Sequence, residues 1–532
     1  MTKYQEAKQY DVVIVGSGIN SLVCAALLVK AGKSVVVLER AERAGGCIRS
    51  EEITAPGFLH DVLSGWHPLF VLSPAYAELG ADLHRHGLVY LNTDTPTACV
   101  RPDGRSAYLS TSREKNLQMF EQAHAGDGAG FQRSVSAIET SANLTFTLLG
   151  TEVRRWSIAR LLFKEFRQRG LQGSLQLANG FLGSCRNWLN SHFQSEMTRL
   201  LFAPWILHTG LTPDSAFSGH MGKLIAFSLE TAGMPLVKGG SYQLVSAFLS
   251  LLQEHGGTLV CNADVAEIVI ENGKAMGVRT ADGGRFNARD AVVCNVTPTQ
   301  LYGRLLPRVA VPEKILQQAT EYRYGRADMQ IHIAMNEPPQ WIDPGLKTVP
   351  MVHLTEGLSS ISMSITQADA GLLPSHPTVV VGQPTALDPS RAPAGKWILW
   401  LQLQELPSRI VGDSLGEIDI PANGEWTEKV REQYADRIID RLALVIANLK
   451  SSMIARTVLS PVDLQALNIN LVGGDPYSGD CSFDQFFLWR PLPATKNHET
   501  PVKQLFQIGA STHPGPGLGG GSGYMVGKLL SR

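Results

Sequence analysis

The feature that most constrains the fold of this chain is a short apolar run that ends in a glycine turn. The run from Val12 to Val15 is continuously apolar, which is typical of a parallel strand buried on both faces. Gly16 and Gly18 follow it directly. Gly16 permits the tight turn out of the strand, and Gly18 lets the backbone approach a pyrophosphate without an intervening Cβ atom. The pattern predicts the opening strand and turn of a nucleotide-binding unit.

The apolar stretch after this turn predicts a helix that faces the phosphates. It runs from Ile19 to Ala31 and is rich in alanine and leucine. The N–H groups of Ile19, Asn20 and Ser21, together with the positive end of the helix dipole, suit a pyrophosphate. Ser21 stands where a third glycine usually packs the helix against the strand, and it is a small replacement.

A second apolar strand brings a carboxylate to the ribose. The run from Val35 to Leu38 ends in Glu39, about twenty residues beyond Gly18, which is the spacing at which such units place an acid on the ribose diol. The same carboxylate repels a 2′-phosphate. The alternative is an ordinary strand–helix–strand unit with a glycine-rich turn.

The loop after this acid favours FAD over NAD as the nucleotide. Arg40, Arg43, Gly45 and Gly46 follow Glu39 closely. Flavoenzymes place a flexible loop rich in N–H groups at this position, against the pyrophosphate. We therefore expect these residues to take part in FAD binding.

The end of the chain is equally rich in glycine and predicts a second part of the same site. Gly509 opens a stretch that contains His513 and Gly517 and continues through Gly520 and Gly523 into a short helical tail. A helix that starts there aims N–H groups and its positive end at the negative charge near N1 of reduced flavin. We expect both ends of the chain to close one nucleotide pocket.

Together these motifs resemble the phytoene desaturase-like family of flavoproteins. Its most similar branch holds carotenoid desaturases and isomerases, retinol saturase and proteins named for a pyridine nucleotide-disulfide oxidoreductase domain 2. The similar stretches are Glu39 to Gly46, Pro56 to Asp61, Lys238 to Gly240, Gly473 to Asp475, Arg490-Pro491 and Gly509 to Gly515. The sequence has no Cys-x-x-Cys or Cys-x-x-x-x-Cys pair, so disulfide-reductase chemistry is not expected.

The resemblance implies an α/β fold with a discontinuous, Rossmann-like FAD-binding domain and an inserted α+β substrate domain. This is a glutathione-reductase-type flavoprotein with an amine-oxidase-like architecture. The predicted FAD-binding ranges are 1–75, 236–305 and 470–532, and the predicted substrate-domain ranges are 76–235 and 306–469. The resemblance also implies that backbone around Val265 contacts the adenine end of FAD.

Hydrophobic periodicity predicts several further elements. A helix is predicted from Tyr242 to Glu254, and Asn272-Gly273 predicts a hairpin turn between two strands. A strand is predicted from Trp397 to Gln404, with the odd-numbered residues on one apolar face. A second helix is predicted from Trp426 to Leu449.

The function implied by the resemblance is an FAD-dependent oxidoreductase acting on CH–CH groups. It would desaturate or saturate a C–C bond in an elongated apolar substrate, such as an isoprenoid, a carotenoid or an acyl chain. Oxygen, a quinone and a nicotinamide stay open as electron acceptors. Three alternatives also stay open: a flavin-dependent amine oxidase, a redox-assisted cis–trans isomerase of polyenes, and a non-catalytic flavin-binding interaction protein.

His67 and His513 are the candidate catalytic residues. The resemblance places both near the flavin ring, and histidine handles protons near neutral pH. The alternative is that both hold loop backbone and the flavin. No metal site is expected, because the close pair His84 and His86 has no cysteine or carboxylate at ligand spacing.

Composition argues against some partners and compartments. The net charge is −1, so nucleic acid is not an expected partner. Seven scattered cysteines favour free thiols in a reducing compartment. Met1 to Glu6 lacks the apolar core of a secretion signal, and no apolar run reaches the roughly 18 residues of a spanning helix. We expect a cytoplasmic protein.

One basic segment adds the expectation of a membrane surface as a partner. Between Arg154 and Arg169, arginine and lysine interleave with tryptophan, phenylalanine and leucine. Such a helix can lie in an anionic lipid surface. The alternative is a helix that packs its apolar side inward.

Overall fold

The computed structural model describes residues 8–532, so residues 1–7, which carry the prediction about secretion, lie outside the described residues. The described strands are β1 Lys8–Val15, β2 Val35–Leu38, β3 Ser50–Glu51, β4 His60–Asp61, β5 Tyr90–Leu91, β6 Thr97–Val100, β7 Ser106–Leu109, β8 Leu236–Val237, β9 Thr258–Val260, β10 Val265–Glu271, β11 Lys274–Thr280, β12 Arg285–Asn295, β13 Ala327–Met335, β14 Met351–Leu354, β15 Leu372–Leu373, β16 Val379–Gly382, β17 Trp397–Leu406, β18 Gly412–Asp413, β19 Met453–Leu459 and β20 Leu505–Ile508.

The described α-helices are α1 Ile19–Lys30, α2 Pro68–Val71, α3 Pro74–Arg85, α4 Arg113–Ala123, α5 Asp127–Gly150, α6 Trp156–Leu182, α7 Cys185–His192, α8 Glu196–Phe202, α9 Ser218–Ala232, α10 Tyr242–Glu254, α11 Pro298–Gln300, α12 Glu313–Thr320, α13 Leu358–Asp369, α14 Glu428–Leu442, α15 Leu449–Ser452, α16 Pro461–Leu467 and α17 Gly521–Leu530.

The first large sheet is doubly wound around β1. Strand β1 pairs in parallel with β2 on one side and with β12 on the other, and β9 and β20 extend the parallel part outward. The first half of β12 pairs antiparallel with β11, which forms a hairpin with β10. The strand order therefore changes direction at β1, and in such sheets ligands bind at the carboxyl ends of the strands flanking that point.

The second large sheet has the order β19-β13-β17-β16-β14-β6-β7. All its neighbours are antiparallel except β14 and β6. The odd-numbered residues of β13 and β17, such as Ile331 and Leu401, form its apolar outer face, which packs against Tyr434 and Ile438 of α14. The opposite face, called the inner face below, looks toward β4, because the ring of His332 lies 5.2 Å from that of His60 in β4.

The predicted fold class is confirmed: an α/β flavoprotein fold with a Rossmann-like parallel sheet. The five domain ranges stay a prediction.

Helix α10 has the predicted bounds, and Asn272 and Gly273 form the predicted turn, with φ of 51° and 73°. The helix predicted over 426–449 is wrong in length, because α14 ends at Leu442 and the chain turns before α15.

Candidate functional site

The glycine turn after β1 fits closely under the end of β12. Gly16 has a φ of 84°, which favours glycine, and a Cβ atom on it would lie 3.3 Å from the carbonyl oxygen of Asn295. A Cβ atom on Gly18 would lie 3.1 Å from Nδ2 of the same asparagine. That amide also donates to the hydroxyl of Ser21 at 3.0 Å. Ser21 therefore ties α1 to the sheet through a hydrogen bond, where a glycine would only have made room.

Helix α1 begins at Ile19 without a side-chain cap. Gly18 is its N-cap residue, and a glycine has no side chain that can accept from the first N–H groups. The residues from Ile19 to Val29 are all buried, so the sheet and its neighbouring helices fix the direction of this N-terminus. The uncapped end at Ile19 and Asn20 is therefore fixed in direction, and its predicted role in binding the pyrophosphate stays a prediction.

Glu39 is held in place at the carboxyl end of β2. Its side chain is buried, and its Oε2 accepts from the backbone N–H of Ser17 at 2.9 Å and from the Ser17 hydroxyl at 2.6 Å. Its Oε1 accepts from the N–H of Ala41 at 2.9 Å. A carboxylate oxygen has two acceptor positions, so Oε1 retains one for a ribose hydroxyl.

The loop after Glu39 lies directly over the glycine turn. The N–H of Gly45 donates to the Ser17 hydroxyl at 2.9 Å, and a Cβ atom on Gly46 would lie 3.1 Å from the Cα of Gly18. Arg40 is exposed, and the guanidinium of Arg43 lies 4.3 Å from the ring centre of Tyr242. The loop therefore contacts the glycine turn through the backbone of Gly45 and Gly46 and not through the side chains of Arg40 and Arg43.

The last helix packs directly on the first. The N–H of Gly523 in α17 donates to the Asn20 side chain at 3.0 Å. A Cβ atom on Gly523 would lie 1.8 Å from the backbone carbonyl oxygen of Asn20, so only glycine fits this contact. The N-termini of α1 and α17 therefore meet, as expected from the two glycine-rich ends of the sequence.

The other predicted glycines of the C-terminal segment shape the turn that enters α17. Gly509, Gly517 and Gly520 have φ of 114°, 115° and 66°. The N–H of Gly509 donates to the Ser522 hydroxyl at 3.0 Å, and a Cβ atom on Gly520 would lie 2.8 Å from a methyl group of Val23. These glycines bring the segment onto α1.

Val265 lies next to the acid in the first sheet. It opens β10, two residues after Ala263, whose N–H donates to the carbonyl of Glu39 at 2.8 Å. The carbonyl of Val265 accepts from Arg304 at 3.0 Å. The predicted contact of this backbone with adenine stays a prediction.

A buried arginine joins two of the sequence motifs. Arg391 is fully buried and donates to Asp61 at 3.0 Å, to Asp388 at 2.9 Å and to the carbonyl of Val237 at 2.8 Å. Asp61 also accepts from the N–H of Ser241 at 2.8 Å. Because the N–H of Gly239 donates to Asp388 at 2.7 Å, the stretch around Asp61 and the Lys238–Gly240 stretch are held together through Asp388 and Arg391.

The two candidate catalytic histidines lie in different surroundings. His67 is fully buried, and its Nδ1 lies 3.1 Å from the hydroxyl of Tyr90. The backbone N–H of His67 donates to the carbonyl oxygen of Pro235 at 3.0 Å, and burial lowers the pKa of the His67 side chain to about 4. His67 is therefore neutral near pH 7, so one ring nitrogen can donate a hydrogen bond and the other can accept one.

The ring of His513 lies near the end of α5, at Leu148 and Thr151. The backbone N–H of His513 donates to Oδ1 of Asn497 at 2.9 Å, and the backbone carbonyl oxygen of His513 is 3.1 Å from Nε2 of His498. Burial lowers the pKa of His513 to about 4, against the opposing effect of Glu152. Its backbone anchors the C-terminal segment, and its catalytic role, like that of His67, stays a prediction.

The inner face of the second sheet is polar, and sequence reasoning missed it. Asp328, Gln330 and His332 alternate with apolar residues on β13, and Trp400, Gln402 and Gln404 do so on β17. The period-two alternation around Asp328 is visible in the sequence, but the prediction used only the apolar face of β17. This face packs against the chain after β4, since Trp66 and Trp400 lie 5.3 Å apart.

The model of one protein family, flavin containing amine oxidoreductase, matches residues 22–393 of this chain. The chain belongs to this family. It is therefore a flavin-dependent oxidoreductase of the superfamily that includes amine oxidases and carotenoid desaturases. The resemblance to phytoene desaturase-like proteins is confirmed.

Relatives match over nearly the whole chain. The pyridine nucleotide-disulfide oxidoreductase domain-containing protein 2 of Rattus norvegicus is 26% identical, over 98% of this chain and 94% of its own. One of the limonene dehydrogenase subunits from Castellaniella defragrans is 25% identical, over 99% and 95%. The zeta-carotene-forming phytoene desaturase of Myxococcus xanthus is 26% identical, over 95% and 90%.

Solved structures share the fold. An oxidoreductase from Methanosarcina mazei superposes with a TM-score of 0.59 at 17% identity, covering 98% of this chain and 100% of that one. Putrescine oxidase bound to putrescine has a TM-score of 0.58 at 16% identity, with 98% of each chain covered.

The basic segment forms a helix with almost no buried side. Of the residues of α6, Ile158 is the buried one, and the helix kinks at Gly170, whose φ is 66°. Its exposed large apolar residues are Trp156, Leu162, Phe163, Phe166, Leu171, Leu175 and Leu182. The alternative in which the apolar side packs inward is therefore wrong. In residues 8–532, no helix combines the length and apolar character needed to cross a bilayer.

Proposed function

We propose that this protein is an FAD-dependent oxidoreductase that desaturates or saturates a C–C bond of an elongated apolar substrate. The observation that carries the proposal is a continuous row of aromatic rings, called the aromatic row below. It starts at Phe181 near the end of α6 and continues to Phe217, 6.3 Å away, and to Phe487, 5.2 Å further. The ring of Phe487 lies 6.0 Å from that of His513 in the C-terminal segment.

The aromatic row suits an apolar chain that enters from an apolar surface. Phe217 is buried and Phe486, 6.2 Å from it, also packs on Gly515 of the C-terminal segment. Rings of this kind exclude water and offer no hydrogen bonds along the row. The row therefore joins the exposed helix α6 to the segment that approaches α1.

The residues around the two helix N-termini fit FAD. The glycines at 16 and 18 let the turn pack closely under Asn295, the glycine at 523 lets α17 pack on the backbone of Asn20, and Glu39 offers an acceptor to the ribose of the adenosine half. The flavin, when bound, accepts a hydride from substrate carbon or returns one to it. This chain's part is to fix the nucleotide between α1 and α17, orient the substrate chain and keep water out.

Two of the relatives support a C–C bond as the site of reaction. One is named as part of a limonene dehydrogenase and another as a phytoene desaturase, and each aligns with at least 95% of this chain. Loss of a hydride from an allylic carbon leaves charge that the neighbouring double bonds delocalise, so a strong base is not required. Neutral, buried His67 is compatible with that chemistry.

Amine oxidation is the second candidate, favoured by the family description. Amine oxidases of this kind often use a lysine near the flavin. Within residues 8–532, the buried charged residues include no lysine. We therefore rank this candidate below C–C chemistry.

An anaerobic screen of flavin reduction tests the proposal. Purified holoenzyme is mixed with acyclic isoprenoids, fatty acyl compounds or amines, and bleaching of the flavin band is followed by stopped flow. We expect an isoprenoid or an acyl compound to bleach the flavin, and oxygen, a quinone or a nicotinamide to restore it. Bleaching by amines alone would contradict the proposal, and isomerisation only after prior reduction would favour the isomerase alternative.

We further propose that α6 lies on an anionic membrane surface. Its exposed apolar residues are accompanied by Arg160, Lys164 and Arg167, whereas Glu165 is its acidic residue and pairs with Arg169. Seven exposed large apolar side chains on one helix indicate an interaction surface. The excess of positive charge on the same helix favours anionic lipid headgroups. Arg154 holds the start of the helix to the body through the carbonyls of Thr495 and Leu488, both at 2.7 Å.

Removing three apolar side chains from α6 is expected to abolish membrane binding. The triple variant W156S/F163S/F166S loses the rings that enter the acyl boundary, so the fraction that floats with phosphatidylglycerol vesicles should fall at least about tenfold. The matched control is V309S/V411S/L444S, which removes three apolar residues exposed elsewhere. Equal flotation of both variants, or no flotation of the wild type, would refute the membrane proposal.

A further inference from the structure

The inner face of the second sheet carries a group of side chains that a purely apolar substrate does not need. Asp328, Gln330, Gln402 and Gln404, called the polar cluster below, lie on the adjacent strands β13 and β17. The outer face of the same two strands is wholly apolar around Ile331 and Leu401. The polarity is therefore confined to the face that looks into the molecule.

The members of the polar cluster bind one another and a neighbouring tyrosine. Nε2 of Gln402 donates to Asp328 at 2.6 Å, and Nε2 of Gln330 lies 3.4 Å from the same oxygen. Nε2 of Gln404 donates to the hydroxyl of Tyr477 at 2.9 Å, and that hydroxyl donates to the carbonyl of Leu207 at 2.5 Å. The donors of the cluster are thus largely used within it.

The acceptors and one donor at the cluster remain unpaired. In the described part of the chain, Oε1 of Gln330 and Oε1 of Gln404 have no hydrogen-bond donor, and Nε1 of Trp400 has no acceptor. All three side chains are at least 95% buried. Unpaired buried polar atoms are rare because each carries an unrecovered desolvation penalty, so the cluster lacks a partner that can both donate and accept.

The partial exposure of Gln402 shows where the polar cluster is accessible to such a partner. It lies in the middle of a central strand, between β13 and β16, yet it is only half-buried. Tyr477, which binds Gln404, is half-buried as well. The inner face therefore borders open space at these two residues.

The cluster is uncharged near neutral pH. Asp328 is 2% exposed, and its hydrogen bonds come from amides of Gln402, Gln330 and its own neighbour Met329. Burial raises the pKa of Asp328 to about 8, so its carboxyl is mostly protonated at pH 7. A protonated carboxyl donates one hydrogen bond, which suits a neutral oxygen better than an ammonium or a carboxylate.

The polar cluster lies close to two segments: the C-terminal segment around Ser511 and the chain after β4 around Val62. Ser478, next to Tyr477, accepts through its carbonyl from the hydroxyl of Ser511 in the C-terminal segment at 2.7 Å. On β13, His332 follows Gln330 on the same face, and its Nε2 lies 3.1 Å from the carbonyl of Val62. A substrate that reaches the C-terminal segment along the aromatic row therefore arrives beside the cluster.

We propose that the polar cluster binds a hydroxyl group of the substrate, so that the substrate class is an apolar chain bearing one hydroxyl rather than a pure hydrocarbon. This inference rests on the proposed C–C oxidoreductase function and names its substrate class. A hydroxyl donates to a glutamine oxygen and accepts from the carboxyl or the indole, whereas a hydrocarbon leaves all of them unpaired. Sites built for such bonds discriminate strongly against the analogue without the polar group.

Matched pairs of isoprenoids test the inference. The holoenzyme is titrated with an acyclic alcohol and with the hydrocarbon of the same skeleton, at ten, fifteen and twenty carbons, and with the corresponding amine. Binding is followed by the shift of the flavin absorption band. We expect the alcohol of at least one length to bind about tenfold or more tightly than its hydrocarbon and its amine.

A double variant separates recognition from general damage. In Q402M/Q404M the alcohol should lose its advantage, while the hydrocarbon binds as in the wild type and FAD content is unchanged. The control Q433M changes an exposed glutamine of α14 and should keep the preference. Equal affinity for alcohol and hydrocarbon, or a preference that survives in Q402M/Q404M, would overturn the inference and leave the proposed function standing. Spectral shifts with the amine alone, or with no probe, would overturn both.

Discussion

Replacing Gly523 by alanine is expected to abolish tight flavin binding. The new Cβ atom would lie 1.8 Å from the carbonyl oxygen of Asn20 and 2.6 Å from its carbonyl carbon, and both are backbone atoms that cannot rotate away. Helix α17 must therefore move off α1, and the hydrogen bond from the Gly523 N–H to the Asn20 side chain is lost. Overpacking of this kind costs about 1–3 kcal/mol, which corresponds to about a ten- to hundredfold loss of FAD affinity.

The measurement is the dissociation constant of FAD for apoprotein, obtained from quenching of flavin fluorescence. Gly303→Ala is the matched control, because a Cβ atom there would meet no atom within 4 Å. It should bind FAD as the wild type does. Wild-type affinity in Gly523→Ala would mean that the contact between the two helices has no part in the site.

Replacing Arg391 by leucine is expected to cause the largest loss of stability. The substitution leaves Asp61 and Asp388 buried, 3% and 2% exposed, without the cation that binds both. Removing one partner of a buried ion pair typically costs about 3–5 kcal/mol, because the remaining charge stays out of water. Since Arg391 joins the Asp61 stretch to the Lys238–Gly240 stretch, holoenzyme yield should fall as well.

Urea unfolding followed by tryptophan fluorescence measures this loss. Arg308→Leu removes an exposed arginine and should change the apparent free energy of unfolding by no more than about 0.5 kcal/mol. A third variant, Arg391→Lys, keeps the charge but not the fork geometry and should recover part of the stability. If Arg391→Leu unfolds at the same urea concentration as the wild type, the network is not a structural link.

Local signals in the sequence predicted the cofactor-binding part of the fold well. The apolar strands β1 and β2, the glycine turn and Glu39 follow from patterns that act within about thirty residues of each other. The hairpin at Asn272-Gly273 follows equally from local chemistry, because both residues adopt a positive φ there. Such features are set by backbone sterics and burial, which a single sequence displays directly.

Contacts between distant parts of the chain were less predictable. Asn295 binds Ser21 and limits the space at Gly18, although nothing near position 295 resembles a cofactor motif. The Arg391 network likewise depends on which loops meet, and no local pattern encodes that. For α6, the sequence showed an apolar face but not whether the rest of the chain covers it, so two interpretations stayed open until the burial of Ile158 alone was seen.

The polar inner face shows a third kind of limit. Asp328 and Gln330 alternate with apolar residues on β13, and a half-polar strand of this sort usually predicts one face in solvent. All nine residues of β13 are buried instead, because a second layer of chain covers the polar face. Alternation in a sequence therefore distinguishes the two faces of a strand but does not show what lies against each.

The central claim is that a flavin dinucleotide is bound between the starts of α1 and α17, with its adenosine half at Glu39. Calorimetric titration of apoprotein with FAD and with FMN, which lacks that half, tests this most directly. The account predicts one FAD per chain, with FMN binding at least about a hundredfold more weakly, and with Glu39→Leu erasing most of that difference. Equal affinity for FAD and FMN, or no affinity for either, would contradict it.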